Sequence, residues 1–242
     1  ASCLVGSEMC IRDRSCLMII AEKIKESCGA LSVVQRGNML ALRNGNVGYS
    51  CIYTDDSIYQ PILIHIQKLI EAYTSVYTIK NALVLGGGCC TIPRFLIKRY
   101  HNTICIDSVE YQSEIIALTR KYFLEGMNVD KLNLINDDAY TYIHNTPKQY
   151  DFILVDIFVG DMMPQKTHTD MFIKDLECHT SCTSLVVFNA YKCSLDQCKE
   201  LCKQGESLFD TSFVTVDSDG TYYIVFIKGN IDKSIIEPFI NA

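Results

Sequence analysis

Three glycines and a set of acidic residues carry the chemistry that this sequence could do. Leu83-Val84-Leu85-Gly86-Gly87-Gly88 puts a glycine turn directly after an apolar run. Glycine lets the chain turn tightly and come close to a ligand with no Cβ in the way. Further on, Ile106-Asp107-Ser108-Val109-Glu110 ends in a carboxylate able to accept hydrogen bonds from both hydroxyls of a ribose. Asn136-Asp137-Asp138-Ala139 offers another to an adenine amino group, and Asp156 closes the run Phe152-Ile153-Leu154-Val155. Carboxylates at successive strand ends suit a ligand with a sugar, an adenine and a positive centre. They suit a phosphate chain poorly, because like charges repel. Each aspartate alone reads as readily as a helix N-cap. Together they point to an S-adenosyl sulfonium donor rather than a dinucleotide. The full G-x-G-x-x-G fingerprint is also missing, since Cys89, Cys90, Thr91 and Pro93 follow the glycines.

The elements that must position these groups follow from the apolar pattern. Ala82–Leu85, Thr103–Val109, Leu132–Asn136, Phe152–Asp156 and Ser184–Asn189 read as strands. Between and after them, Thr91–Tyr100, Gln112–Glu125, Ala139–Asn145, Thr169–Cys178 and Leu195–Gly205 read as helices. Continuous apolar strands alternating with amphipathic helices imply a doubly wound, Rossmann-like α/β sheet, covered on both faces. Phe213–Val216 and Tyr222–Lys228, split by Asp217–Gly220, predict an antiparallel hairpin at the sheet edge, for about seven strands in all. Ahead of this core, Leu31–Gln35, Met39–Arg43 and Val47–Tyr53 are separated by Gly/Asn turns and read as a small antiparallel meander. Ser15–Cys28 has helical spacing (Leu17, Ile20, Ile24). Tyr59–Tyr73 reads as an amphipathic helix with Pro61 in its first turn. The expected division is a tail over residues 1–14, a helix and meander over 15–58, and the adenosyl-binding domain over 59–242.

With 242 residues, 48% hydrophobic and 21% charged, the chain can bury a substantial core. A net charge of −6 with no Lys/Arg cluster argues against a nucleic-acid partner. No apolar run is long enough to suggest a membrane span. Thirteen cysteines without a secretory signal suggest reduced, buried thiols and a cytoplasmic protein. Cys198 and Cys202 lie one helical turn apart and could share a metal, but small buried thiols explain them as well, and no metal site is assigned. Met9-Cys10-Ile11-Arg12-Asp13-Arg14 back-translates to ATG TGT ATA AGA GAC AGR, the transposon end used in sequencing libraries. Residues 1–14 are therefore set aside as a non-native tail, with Cys3 and Cys10.

Over residues 31–191 the sequence resembles the spermidine synthase-like branch of adenosyl-dependent transferases. Asp55-Asp56-Ser57-Ile58-Tyr59-Gln60 matches that family's acidic pair followed by Tyr-Gln, and His65 falls at a family histidine. The glycine motif, Glu110, Asp138-Ala139 and Asp156 match in order and spacing. The resemblance implies that Gln60, His65, Gly86, Gly87, Gly88, Glu110, Asp137, Asp138, Ala139 and Asp156 bind the donor. That donor would be S-adenosylmethionine or its decarboxylated form. It also implies a small-molecule acceptor such as a polyamine, and a homodimer. Two departures stand out. Cys89 replaces an aspartate expected to hold the donor's amine and to repel the carboxylate of ordinary S-adenosylmethionine. The family's Asp-x-x-Asp-Pro loop becomes Asp156-Ile157-Phe158-Val159-Gly160-Asp161-Met162-Met163-Pro164, so the second carboxylate moves to Asp161. A glutamine expected on the meander is also replaced, near Ser50.

The reaction expected of such a site is an in-line displacement at a carbon next to the sulfonium. The donor supplies reactivity and the protein supplies orientation and a deprotonated nucleophile. Asp156 is the expected positioning and proton-accepting group, with Asp161 and Tyr59 binding the acceptor. Three functions fit: aminopropyl transfer, methyl transfer to a small molecule or protein side chain, and a binding module that has lost its chemistry.

Overall fold

The computed structural model describes residues 18–26, 29–45 and 47–240. The expected tail over 1–14 lies outside them. From residue 81 onward the strands are apolar at nearly every position, so they satisfy two cores at once. β5 (Asn81–Leu85), β6 (Cys105–Glu110), β7 (Leu132–Asn136), β8 (Tyr150–Val155) and β9 (Thr180–Ala190) run parallel. The edge is closed by antiparallel β11 (Tyr222–Lys228) and β10 (Thr211–Val216), giving the order β10-β11-β9-β8-β5-β6-β7. The chain leaves β5 for β6 and β7 on one side, then returns to place β8 on the other. That reversal opens a crevice at the C-terminal ends of β5 and β8.

Alternation along each strand divides the core. Ala82, Val84, Phe152 and Leu154 face one layer with α1 (Ile64–Thr74) and α2 (Thr91–Arg99). Leu83, Leu85, Ile153 and Val155 face the other, with α4 (Ala139–Asn145), α5 (Asp170–Cys178) and α6 (Leu195–Gly205). Each buried Leu, Ile or Phe contributes about 1.5–3 kcal/mol relative to exposure. A separate four-stranded antiparallel sheet holds β1 (Met18–Glu26), β2 (Gly29–Arg36), β3 (Met39–Asn44) and β4 (Val47–Tyr53) in sequential order. Its Leu31, Val33, Leu40, Leu42 and Ile52 pack on Cys89, Ile115, Leu118 and Phe123. This third core lays the meander across the glycine turn.

Three local expectations are corrected. The helix expected over Ser15–Cys28 is a strand where the chain is described: Met18–Glu26 pairs antiparallel with β2. β2 supplies the pairing that decides for a strand, whose alternation is interrupted by register shifts between Ile19 and Ala21 and between Ala21 and Ile24. The helix expected from Tyr59 begins at Ile64, leaving Pro61 in the loop before it. Buried Gln67 prevents an earlier start by clasping that loop. Its Oε1 accepts from Gln60 N at 2.8 Å, and its Nε2 donates to the Ile62 carbonyl at 2.7 Å. The long helix expected over Gln112–Glu125 is shorter and widens in its second half. α3 (Ser113–Leu118) passes into a π turn, Thr119–Phe123, and Thr119 Oγ1 donates to the Gly88 carbonyl at 3.0 Å. A π turn at this place ties the helix to the glycine turn.

Candidate active site

The crevice opens into a cleft of about 1590 Å³, bounded by the strand ends on one side and the meander on the other. The glycine turn forms its floor. Gly86 and Gly87 both donate their N–H to the Val109 carbonyl at 2.9 Å. Gly86 has φ +89°, and a Cβ there would overlap the Asp156 carbonyl. A Cβ on Gly87 would overlap Ser108 Oγ. These glycines are thus required by the neighbouring strands as well as by any ligand.

Glu110 stands at the tip of β6, largely buried. Its Oε2 accepts from Gly88 N at 3.1 Å and its Oε1 from Gln112 N at 3.0 Å. Burial raises its pKa above the usual carboxylate value, and these backbone donors offset part of the rise. Glu110 lines the cleft beside the glycine turn. Asp137 and Asp138 stand at the tip of β7. Asp138 caps α4, accepting from Thr141 N at 3.0 Å, so its helix-capping reading holds while it also lines the cleft with Asp137 and Ala139.

Asp156 follows β8 at the point where the sheet order reverses. Its backbone N–H donates to the Leu85 carbonyl at 2.8 Å, and its Oδ1 accepts from Asn189 Nδ2 at 2.8 Å. Burial pushes its pKa up from 3.8 to about 6; Asn189 pulls it down, and the nearby Glu110 charge adds to the rise. Asn189 Oδ1 is buried with no hydrogen-bond partner. Asp161 lines the outer part of the cleft, exposed and ion-paired with Lys192, which lowers its pKa. His65 lines the cleft from α1. It stacks on Tyr223 at 5.0 Å, with Nε2 3.0 Å from Thr215 Oγ1, and burial lowers its pKa.

This arrangement matches a known domain. A spermine/spermidine synthase domain model matches residues 56–229. The chain belongs to the spermine/spermidine synthase family. Among curated relatives, the polyamine aminopropyltransferase of Lachnospira eligens is 29% identical over 123 residues, 50% of this chain and 40% of that protein. That of Buchnera aphidicola subsp. Acyrthosiphon pisum is 34% identical over 106 residues, 42% of this chain and 35% of that protein. The matched stretches thus span well under half of these relatives' length. Among solved structures, a probable spermidine synthase from Corynebacterium glutamicum has a TM-score of 0.77 at 19% identity, covering 90% of this chain and 83% of that one. Human methyltransferase-like protein 13 in complex with SAH scores 0.57 at 16% identity, covering 71% and 83%. Both likenesses are of fold.

Two residues of the family motif lie elsewhere than expected. Tyr59 does not line the cleft: its hydroxyl donates to Glu71, and its ring stacks on Phe95 at 5.9 Å. Gln60 is fully buried beneath the meander, its Oε1 accepting from Tyr53 N at 3.1 Å and its Nε2 donating to the Ser57 and Ile58 carbonyls. Gln60 thus ties the end of β4 to the loop that Gln67 clasps, and Tyr59 fastens that loop to α1 and α2. Cys89 is also fully buried, within the meander's core, and burial pushes its thiol pKa well up. Asn189 and Lys192 were missed in the sequence. A polar residue at the end of an apolar strand was the signal for Asn189; nothing local marks Lys192. Among the described residues, no group of three or more His, Cys, Asp or Glu side chains is placed to hold a metal ion. No helix among them is long and apolar enough to cross a membrane.

Proposed function

We propose that this chain is an adenosyl-sulfonium-dependent alkyltransferase acting on an amine-type acceptor, a polyamine such as putrescine being the first candidate. The observation that carries this is Asp156, a largely buried carboxylate with its pKa at about 6 at the switch point of the sheet. Glu110 would hold the ribose through its carboxylate, and Asp138 with Ala139 would border the adenine. The donor's sulfonium supplies the reactivity; the chain's own groups orient and deprotonate the acceptor. An alkylammonium has a pKa of roughly 10, and an ordinary aspartate is more than about six units below it. Raising Asp156 to about 6 closes roughly two of those units, worth about 3 kcal/mol toward proton transfer. Asn189 Oδ1, unpaired beside this carboxylate, is an acceptor suited to a second N–H of the same nitrogen.

One observation favours methyl transfer as a second reading. The position after the glycines carries a neutral, buried thiol, so no anion there repels the carboxylate of ordinary S-adenosylmethionine. Calorimetric titration with ordinary and decarboxylated S-adenosylmethionine separates the two, followed by mass analysis of products with putrescine. Binding of the decarboxylated donor with spermidine formed supports aminopropyl transfer. Binding of the ordinary donor alone moves the assignment to methyl transfer. Tight binding of NAD and of neither sulfonium overturns both.

A further inference from the structure

Downstream of β9, Lys192-Cys193-Ser194-Leu195-Asp196-Gln197-Cys198 forms the entry to α6. A capping box fixes this entry: Ser194 N donates to Gln197 Oε1 at 2.8 Å, and Gln197 N to Ser194 Oγ at 3.2 Å. Cys193 stands just outside the helix, half-buried, and Cys198 lies buried in the first turns. Cys193 and Cys198 take the N′ and N4 positions of this capped helix, the two that pack on one another, and both belong to one apolar cluster, with Cys198 and His168 against the Cys193 thiol. His168 ends the short 3₁₀ helix Gln165–His168, and its Nε2 lies 3.1 Å from Met163 Sδ. The cluster therefore ties the turn after β9 to the far end of the loop that begins at Asp156.

We propose that Cys193 and Cys198 are a peroxide-responsive thiol pair that closes to a disulfide and releases His168. The pair is asymmetric. Contacts with Cys198 and His168 pull the Cys193 thiol down, while the Cys193 sulfur and burial push Cys198 up. Cys193 is the nucleophile and Cys198 the resolving thiol. The Cys193 thiolate attacks one peroxide oxygen: an S–O bond forms, the O–O bond breaks, and hydroxide leaves as water after protonation. Sulfur is oxidised by two electrons to a sulfenic acid and the peroxide is reduced. The Cys198 sulfur then attacks Cys193: an S–S bond forms, the S–O bond breaks, and the departing hydroxide takes the Cys198 proton as a second water. Met163, Phe158 and Asp161 all lie on the loop that His168 anchors, and Lys192 pairs with Asp161 beside the reacting cysteine. An effect on acceptor binding would rest on the function proposed above; the disulfide itself does not.

Trypsin releases Cys193–Lys199 as one peptide holding both sulfurs. Folded protein is treated with hydrogen peroxide at neutral pH, blocked with iodoacetamide, digested and weighed. The expected peptide is unalkylated and lighter by two hydrogens. It forms at least about tenfold faster than in the urea-unfolded chain, because the fold pre-positions the pair. In Cys198→Ser, dimedone should trap a sulfenic acid on Cys193, whereas Cys202→Ser should leave the linkage unchanged. Equal rates in folded and unfolded chains overturn the proposal. So does oxidation of exposed Cys105, Cys178 and Cys182 while Cys193 remains alkylated. Neither result bears on whether the cleft binds a sulfonium donor.

Discussion

On the wall of the cleft proposed to hold the donor, the glycine turn, Glu110, Asp137 and Asp138 hang from strand ends that the sheet's own hydrogen-bond ladder fixes. Gly86 and Gly87 share the Val109 carbonyl, Glu110 is clamped by two backbone N–H groups, and Asp138 caps a helix. On the wall proposed to take the acceptor, the groups beyond Asp156 sit on a loop held by side chains. Val159 and Met162 form an isolated bridge, Phe158 meets Tyr191 edge-on at 6.3 Å, and Asp161 pairs with Lys192. The first wall is preorganised by backbone geometry that few sequences can alter. The second can be rewritten by single side-chain changes without disturbing the sheet. A shared donor with varied acceptors needs that division of labour.

Asp156 belongs to both walls, and its replacement should produce the largest effect. Asp156→Asn is expected to lower kcat about a thousandfold while donor affinity stays within a few-fold, read by single-turnover kinetics and calorimetry. The same change tests the electrostatics without turnover. The folded pKa lies above the unfolded one, so this carboxyl favours the fold below about pH 4 and loses that contribution as pH rises through 6. Asn does not titrate. Asp156→Asn should therefore match the parent's stability near pH 4 and exceed it by about 2 kcal/mol at pH 7.5, or ~4–8 °C in Tm. Equal melting at both pH values would contradict the raised pKa.

Next in size is Gly86→Ala, which attacks the wall that backbone geometry holds. The φ of +89° and the overlap with the Asp156 carbonyl should together cost about 3–4 kcal/mol. Chemical denaturation measures this directly, and a loss under about 1 kcal/mol would mean the turn can shift. Glu110→Gln keeps the shape and removes the charge. It should weaken donor binding about ten- to thirtyfold and lower Tm by a few degrees, because the new amide NH2 faces a backbone N–H that the carboxylate had satisfied.

The same contrast explains what could be read in advance. Strand ends were legible because an apolar run that stops at a carboxylate marks a strand terminus, and Glu110 and Asp156 stand at such ends, lining the cleft. The seven-stranded sheet followed from continuous apolar strands alternating with helices. Gln60 and Tyr59 misled because a motif match says nothing about which way a loop turns, and Gln67, far enough along to look like an ordinary helix residue, decides that. Met18–Glu26 misled because register shifts break a strand's alternation there, and only pairing with β2 makes it a strand. Lys192 and His168 were invisible because their partners, Asp161 and Cys193, are brought to them by the fold of a loop. Tertiary contacts of this kind have no local period.

The smallest expected effects lie on the loop, where the sign carries more information than the size. Under the proposed function, a cationic acceptor would compete with Lys192 for the Asp161 carboxylate. Asp161→Asn should raise the acceptor KM about three- to fivefold, whereas Lys192→Met should lower it by a similar factor. An exposed pair contributes at most about 1 kcal/mol, so neither change should move Tm by more than about 3 °C. If both substitutions raise KM, the pair works as a unit that positions the loop, and Asp161 does not touch the acceptor. If neither changes KM, acceptor recognition lies wholly with Asp156 and Asn189. Opposite signs would place Asp161 on the acceptor, with Lys192 as the internal cation that the acceptor displaces.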